Sequence, residues 1–275
     1  MGHASQERAQ ENYAEVNGLN LYYEIHGAGE PLVLLHGGLG LGSMFGDVLT
    51  TLSQSQQVIA VDLQAHGRTA DIDRPLRYEH MADDIAALIR HLGFEQANVM
   101  GYSLGGGVAL RTAIQHPEVV QKLVLVSTPF QQSGWYPEIA AGMAQMTGAA
   151  AELMRETPMY QSYMSVAPRP ENFPLLLDKI GEMLGQPYDW SDEVAGLKMP
   201  VLLIYGDADS ISPTHAARFF ELLGGGKGDA GWDGAGMPAS RLAILPATTH
   251  YTVFSSPALP PIVTSFLDAP LPHAA

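Results

Sequence analysis

The sequence predicts an α/β fold: a mainly parallel, doubly wound sheet with a helical insertion. Three observations carry this. Short apolar runs alternate with helix-patterned segments along most of the chain, which is the signature of parallel strands joined by crossover helices. One run, residues 97–100, passes through Gly101-Tyr102-Ser103-Leu104-Gly105 into a small-residue segment, 106–114, that reads as a helix. From residue 129 to about 195 the alternation stops, and no stretch has a strand pattern.

Taken in order, residues 19–26 read as a strand, with Asn17-Gly18 forming the turn from a short strand before it. Residues 31–35 are a continuous apolar run, suited to a strand covered on both faces. It ends in His36-Gly37-Gly38-Leu39-Gly40. Residues 57–61 form another strand, followed by the loop Asp62-Leu63-Gln64-Ala65-His66-Gly67-Arg68-Thr69. In residues 81–92, Ile85, Leu88, Ile89 and Leu92 fall at i, i+3, i+4 and i+7, a helix that Gly93 ends. Past the Ser103 turn, residues 123–126 are the next strand.

The interruption holds Met143, Met146, Met154, Met159, Met164 and Met183, with Leu176, Ile180, Met183 and Leu184 on one helical face. We read it as a helical cap over the strands' C-terminal ends, its methionines forming core and also lining an apolar pocket. Residues 201–205 are a further buried strand, leading into Gly206-Asp207-Ala208-Asp209-Ser210-Ile211-Ser212-Pro213. Ser212 suits an N-cap and Pro213 the first helical position. Ala216, Phe219, Phe220 and Leu223 mark that helix's buried face, 242–245 the last strand, and 258–267 a final helix. The expected organisation is a discontinuous core, 13–129 and 196–270, a cap, 130–195, and flexible termini, 1–12 and 271–275.

A length of 275 residues with 46% hydrophobic content can bury a full core. The formal charge of −15 argues against nucleic acid or an anionic membrane as partner. No cysteine is present, which removes disulfides, thiol nucleophiles and thiolate metal sites. Residues 1–12 are polar, without the apolar core of a signal peptide, and no run approaches a membrane span, so the expected location is the cytoplasm.

The chemistry centres on Ser103. A serine between two glycines at a strand-to-helix turn is a nucleophile elbow, where the turn is too tight for a Cβ on either side. An ordinary Gly/Ser turn would look the same in isolation, so the partners decide. Ser103, Asp209 and His250 each lie just past the C-terminal end of an expected parallel strand, and those ends line one rim of an open α/β sheet. A serine hydroxyl needs a histidine to take its proton, and the histidine needs a carboxylate to orient it. The loop at Gly37-Gly38 lacks a phosphate-binding pattern and suits an oxyanion donor, the amide of Gly38, paired with that of Leu104. His36 reads as an anchor for this loop, and Asp62 and His66 as polar residues holding a tight loop beneath the site. The scattered histidines show no metal-site spacing.

With these residues in view, the chain resembles the α/β-hydrolase family. The resemblance runs through His36-Gly37-Gly38, residues 62–69, the elbow, residues 206–213 and Thr248-Thr249-His250. It implies the order nucleophile, acid, histidine, and places the acid at Asp209, four residues before Pro213, with Asp207 as rival. Ala65-His66-Gly67 departs mildly from the family's Gly-His-Gly. The Gly-rich segment 224–239 stands where relatives have a short loop, and is expected at the sheet's N-terminal edge, away from the site. A serine nucleophile favours acyl transfer over the ester-intermediate chemistry of aspartate-bearing relatives. The expected activity is therefore a cofactor-free and metal-free carboxylesterase acting on a small-molecule ester of short to medium acyl length. Carbon-carbon bond hydrolysis, perhydrolysis and a non-catalytic ligand receptor are the alternatives, and a homo-oligomer stays open.

Overall fold

The computed structural model describes residues 10–271. Its strands are β1 (Gln10–Val16), β2 (Leu19–His26), β3 (Glu30–Leu35), β4 (Gln56–Val61), β5 (Ala97–Tyr102), β6 (Val120–Val126), β7 (Val201–Ala208) and β8 (Arg241–Thr249). They form a single sheet in the order β1-β2-β4-β3-β5-β6-β7-β8. The β1–β2 and β2–β4 pairs are antiparallel, and the remaining pairs are parallel. The helices are α1 (Asp47–Leu52), α2 (Tyr78–His91), α3 (Leu104–Gln115), α4 (Pro137–Ala144), α5 (Pro158–Val166), α6 (Phe173–Leu184), α7 (Ser191–Ala195), α8 (Pro213–Leu222) and α9 (Leu259–Asp268).

The central strands read as unbroken apolar runs because both faces are covered. Successive side chains alternate between two cores. Val33, Leu35, Val99, Leu123, Leu125 and Leu203 pack on one side with residues of α2, α3 and α8. Leu32, Leu34, Met100, Val124, Val126 and Ile204 pack on the other with residues of α1 and α9. The turn at Asn17-Gly18 has both residues at positive φ, +50° and +81°, the backbone that a two-residue hairpin requires. One expectation needs correction here: β1 starts at Gln10, and Gln10 to Asn12 pair with Tyr23 to Ile25. Those three residues belong to the sheet, because ladder hydrogen bonds hold them, and not to a flexible terminus. Leu271 is described, whereas residues 1–9 and 272–275 of the expected terminal segments lie outside the described residues.

Between β6 and β7 the chain makes a helical excursion through α4–α7 and several short 3-10 turns. Tyr163, Phe173, Leu176, Leu177, Ile180 and Met183 are buried there and join the core on the α2/α3 side of the sheet. The other methionines face outward to different degrees. Met143, Met146 and Met154 are half-buried against the core, while Met159 and Met164 are exposed. The only strand-like contacts of the excursion among the described residues are isolated bridges, Gln131 to Asp189 and Trp135 to Ile211.

The irregular stretch after α8 ends in Met237, Pro238 and Ala239. These line a groove of about 900 Å³ with Lys122 and Pro200, at the N-terminal ends of β6 and β7. That is the edge of the sheet expected for it, opposite the strand ends that carry Ser103 and Asp209. Among the described residues no helix is long and apolar enough to cross a membrane.

Candidate active site

Strand register brings the site together. Leu35 pairs with Gly101, Tyr102 with Val126, Val126 with Ile204, and Ala208 with Thr249. The residues that follow each of these, His36 to Gly38, Ser103, Ser127, Asp209 and His250, therefore share one rim. At the elbow Ser103 has φ +53° and ψ −118°, a strained backbone for a residue with a Cβ. The flanking glycines permit it. A Cβ on Gly101 would lie 2.2 Å from the Gly105 carbonyl oxygen, and one on Gly105 would lie 2.3 Å from that of His36.

The three predicted residues meet as a relay. His250 Nε2 lies 3.0 Å from Ser103 Oγ, and His250 Nδ1 lies 3.0 Å from Asp209 Oδ1. A carboxylate accepts only, so Nδ1 carries the proton and Nε2 presents its lone pair to the serine hydroxyl. Asp209 also accepts from the amides of Gly206 (3.1 Å, to Oδ2) and Ile211 (3.3 Å, to Oδ1), and its Oδ2 accepts from the Ser127 hydroxyl. Burial raises the Asp209 carboxyl, but the His250 bond and charge and the Ser127 and Gly206 donors outweigh it and hold it below the usual carboxylate range. Asp209 and His250 are buried, and Ser103 is half-exposed. The Tyr102 hydroxyl donates to the His250 carbonyl at 2.8 Å. The ring of Trp135 stands edge-on to the imidazole at 5.2 Å between centroids.

The rival acid separates cleanly. Asp207 is exposed and accepts from the amide of Thr248 at 3.2 Å. It holds the register shift between β7 and β8 and makes no bond to His250.

Gly38 and Leu104 are neighbours: a Cβ on Gly38 would sit 3.5 Å from Leu104 Cδ1. Among the described residues neither backbone amide has a hydrogen-bond partner, and Leu104 N opens α3, whose N-terminal dipole favours negative charge. His36 is an anchor. Its Nδ1 donates to the Gly37 carbonyl (2.7 Å), its Nε2 accepts from the Leu63 amide (3.0 Å), and burial lowers its pKa to about 4. Asp62 accepts from the amides of Gly42 (2.7 Å) and Arg68 (2.8 Å), and burial raises its carboxyl. His66 is buried, bonds the Gln64 carbonyl at 2.9 Å, and is lowered to about 3, chiefly by burial. None of the three touches the relay.

The expected cap, residues 130–195, holds three Lys and Arg side chains, and none bonds a residue of the relay. Lys179 pairs with Asp71 and also donates to the carbonyls of Ile72 (3.1 Å) and Arg74 (2.9 Å). Arg155 pairs with Glu152 at 2.7 Å on the surface. Arg169 is exposed and lines an outer groove beside Asp71 and Asp73. Among the described residues no group of three or more His, Asp or Glu side chains is placed to hold a metal ion. Sequence reasoning missed Ser127, Tyr102 and Trp135. A polar residue one place after a strand end, as at Ser127, was the only signal for the first.

Comparison with known proteins agrees with this fold. A family model for the alpha/beta hydrolase fold matches residues 30–148. The chain is 29% identical over 258 residues to a pimeloyl-[acyl-carrier protein] methyl ester esterase of Nitrosomonas europaea, covering 86% of this chain and 95% of that protein. It is 28% identical over 239 residues to a protein of Azorhizobium caulinodans provisionally named carbamate hydrolase RutD, covering 79% and 87%. The crystal structure of carboxylesterase CesB from Bacillus subtilis shares the fold, with a TM-score of 0.72 at 19% identity over 95% of this chain and 92% of that one. Sheet order, serine elbow and the match over residues 30–148 together show that this chain has the α/β-hydrolase fold.

Proposed function

We propose that the protein is a serine carboxylesterase acting on neutral esters of short to medium acyl length. The observation that carries this is the continuous relay from Ser103 Oγ through His250 to Asp209, with 3.0 Å at both links. In this reading Ser103 Oγ attacks the ester carbonyl carbon while its proton passes to His250 Nε2. Asp209 stabilises the imidazolium and keeps its tautomer. The amides of Gly38 and Leu104 hold the oxyanion, and losing one such donor costs ~100-fold or more in turnover. Collapse of the tetrahedral adduct expels the alkoxide, which takes the proton from His250. Water then attacks the acyl-enzyme by the same route and releases the acid and free Ser103. The helical excursion acts as a cap over this rim, with Trp135 against His250 as its point of contact.

With Lys179 held by Asp71 and Arg155 paired with Glu152 on the surface, neutral substrates are favoured over those bearing a carboxylate, which weighs against a carbon-carbon hydrolase of acidic diketones or dienoic acids. Carbamates share the acyl-transfer route, and the similarity to the Azorhizobium protein makes them the second reading. A panel of p-nitrophenyl esters of increasing acyl length, with an N-alkyl carbamate and a carboxylate-bearing ester alongside, tests the assignment. Each buried methylene contributes ~0.8 kcal/mol, so kcat/KM should rise a few-fold per step and then fall where the pocket ends. EDTA should leave the rates unchanged. A strong preference for the carboxylate-bearing ester would contradict the reading, and a carbamate preference would move it to the second.

A further inference from the structure

We infer that Ser127 is a positioning residue of the relay, holding the Asp209 carboxylate in the one orientation that serves His250. The inference deepens the proposed function and rests on its triad. Ser127 directly follows β6 and is fully buried. Its hydroxyl donates to Asp209 Oδ2, and no other side-chain donor reaches that oxygen among the described residues. Oδ1 is thereby left to His250 and the Ile211 amide.

Two further observations make the hydroxyl the reason for a serine here. Ser127 has φ +49°, a left-handed conformation that a glycine would adopt without strain. Backbone strain of this kind persists where the surroundings over-determine it and collects at functional sites. The surroundings are also well tied. The Ser127 amide donates to the Ile204 carbonyl at 2.8 Å, the Ser103 amide to the Val126 carbonyl at 2.9 Å, and Thr128 Oγ1 to the Ser103 carbonyl at 3.2 Å. Ser127 thus sits on a fixed strand end between the nucleophile's elbow and the acid's loop. Without its hydroxyl, Oδ2 keeps one amide donor beside a small void, and the carboxylate is free to turn away from Nδ1. The substrate touches neither atom, so the loss falls on turnover and not on binding.

The test measures p-nitrophenyl butyrate hydrolysis by Ser127→Gly, Ser127→Ala, Asp209→Asn and the double variant Ser127→Gly/Asp209→Asn. A hydrogen bond to a charged group supports an expected fall in kcat of about ten- to a hundredfold in both Ser127 variants, with KM within about twofold. Ser127→Gly relieves the positive-φ backbone and carries the test if Ser127→Ala folds poorly. In the Asp209→Asn background Ser127→Gly should cost less than about twofold, because residues acting through one carboxylate are not additive. Parental kcat in a folded Ser127→Gly, or a full additive loss in the double variant, overturns the inference while leaving the triad standing. Near-parental turnover in Asp209→Asn alone overturns the triad, and the inference with it.

Discussion

At the scale of single residues, Asp207 and Asp209 show how two like side chains in one turn divide the work. Asp209 lies past the strand, dry and bonded to the imidazole, whereas Asp207 faces solvent and caps the Thr248 amide. Asp209→Asn should therefore lower kcat by ~10⁴-fold through the wrong imidazole tautomer. Asp207→Asn should stay within a few-fold, and steady-state kinetics on one short ester compare the two. The sequence showed both carboxylates and favoured Asp209 through the family pattern alone. What decides between them physically is the register shift between Gly206 and Ala208, which no local pattern announces. Ser103 and His250 were legible because glycines and strand ends mark them. Ser127 and Trp135 were not, since each reaches the site through a partner remote in sequence.

At the scale of elements, β3, β5, β6 and β7 were readable because burial on both faces demands unbroken apolar runs, and α2 because its face is periodic. The six-residue α1 is too short to show a period, and the start of β1, Gln10 to Asn12, hid behind polar residues that pair at the sheet's antiparallel edge. The last helix is held by a residue no helix pattern includes. Lys122 of β6 is buried, and its ammonium donates to the carbonyls of Phe266 (3.1 Å), Leu267 (2.7 Å) and Ala269, the unpaired end of α9. Lys122→Met removes these charge-assisted bonds. Unfolding in urea should show a loss of ~2 kcal/mol with little change in kcat, because this end of the sheet lies opposite the relay. An unchanged midpoint would show that the bonds add nothing.

At the scale of the whole molecule, three buried histidines set the acid limit. His36 and His215 are lowered to about 4 and His66 to about 3, each chiefly by burial. A lowered folded pKa means the unfolded chain binds the extra proton first. Their stabilisation is therefore fully present above pH ~6.5 and declines as pH falls toward 4. Three protons give at most ~4 kcal/mol per pH unit at the steepest. Asp62 and Asp84, raised mainly by burial, act in the opposite sense above their ordinary carboxylate range. Urea-unfolding free energy measured from pH 8 to 4 should hold near-constant above 6.5 and then drop. A flat profile down to pH 4.5 would mean the histidines are not held neutral.

The central claim is that Ser103 is the nucleophile of this relay. The direct measurement treats the folded protein with a fluorophosphonate and reads intact mass, the labelled peptide and residual p-nitrophenyl butyrate hydrolysis together. A single covalent adduct on Ser103, hydrolysis lost in step with labelling, and neither adduct nor hydrolysis in folded Ser103→Ala is the predicted result. Hydrolysis that survives full labelling of Ser103, or persists in Ser103→Ala, would contradict it.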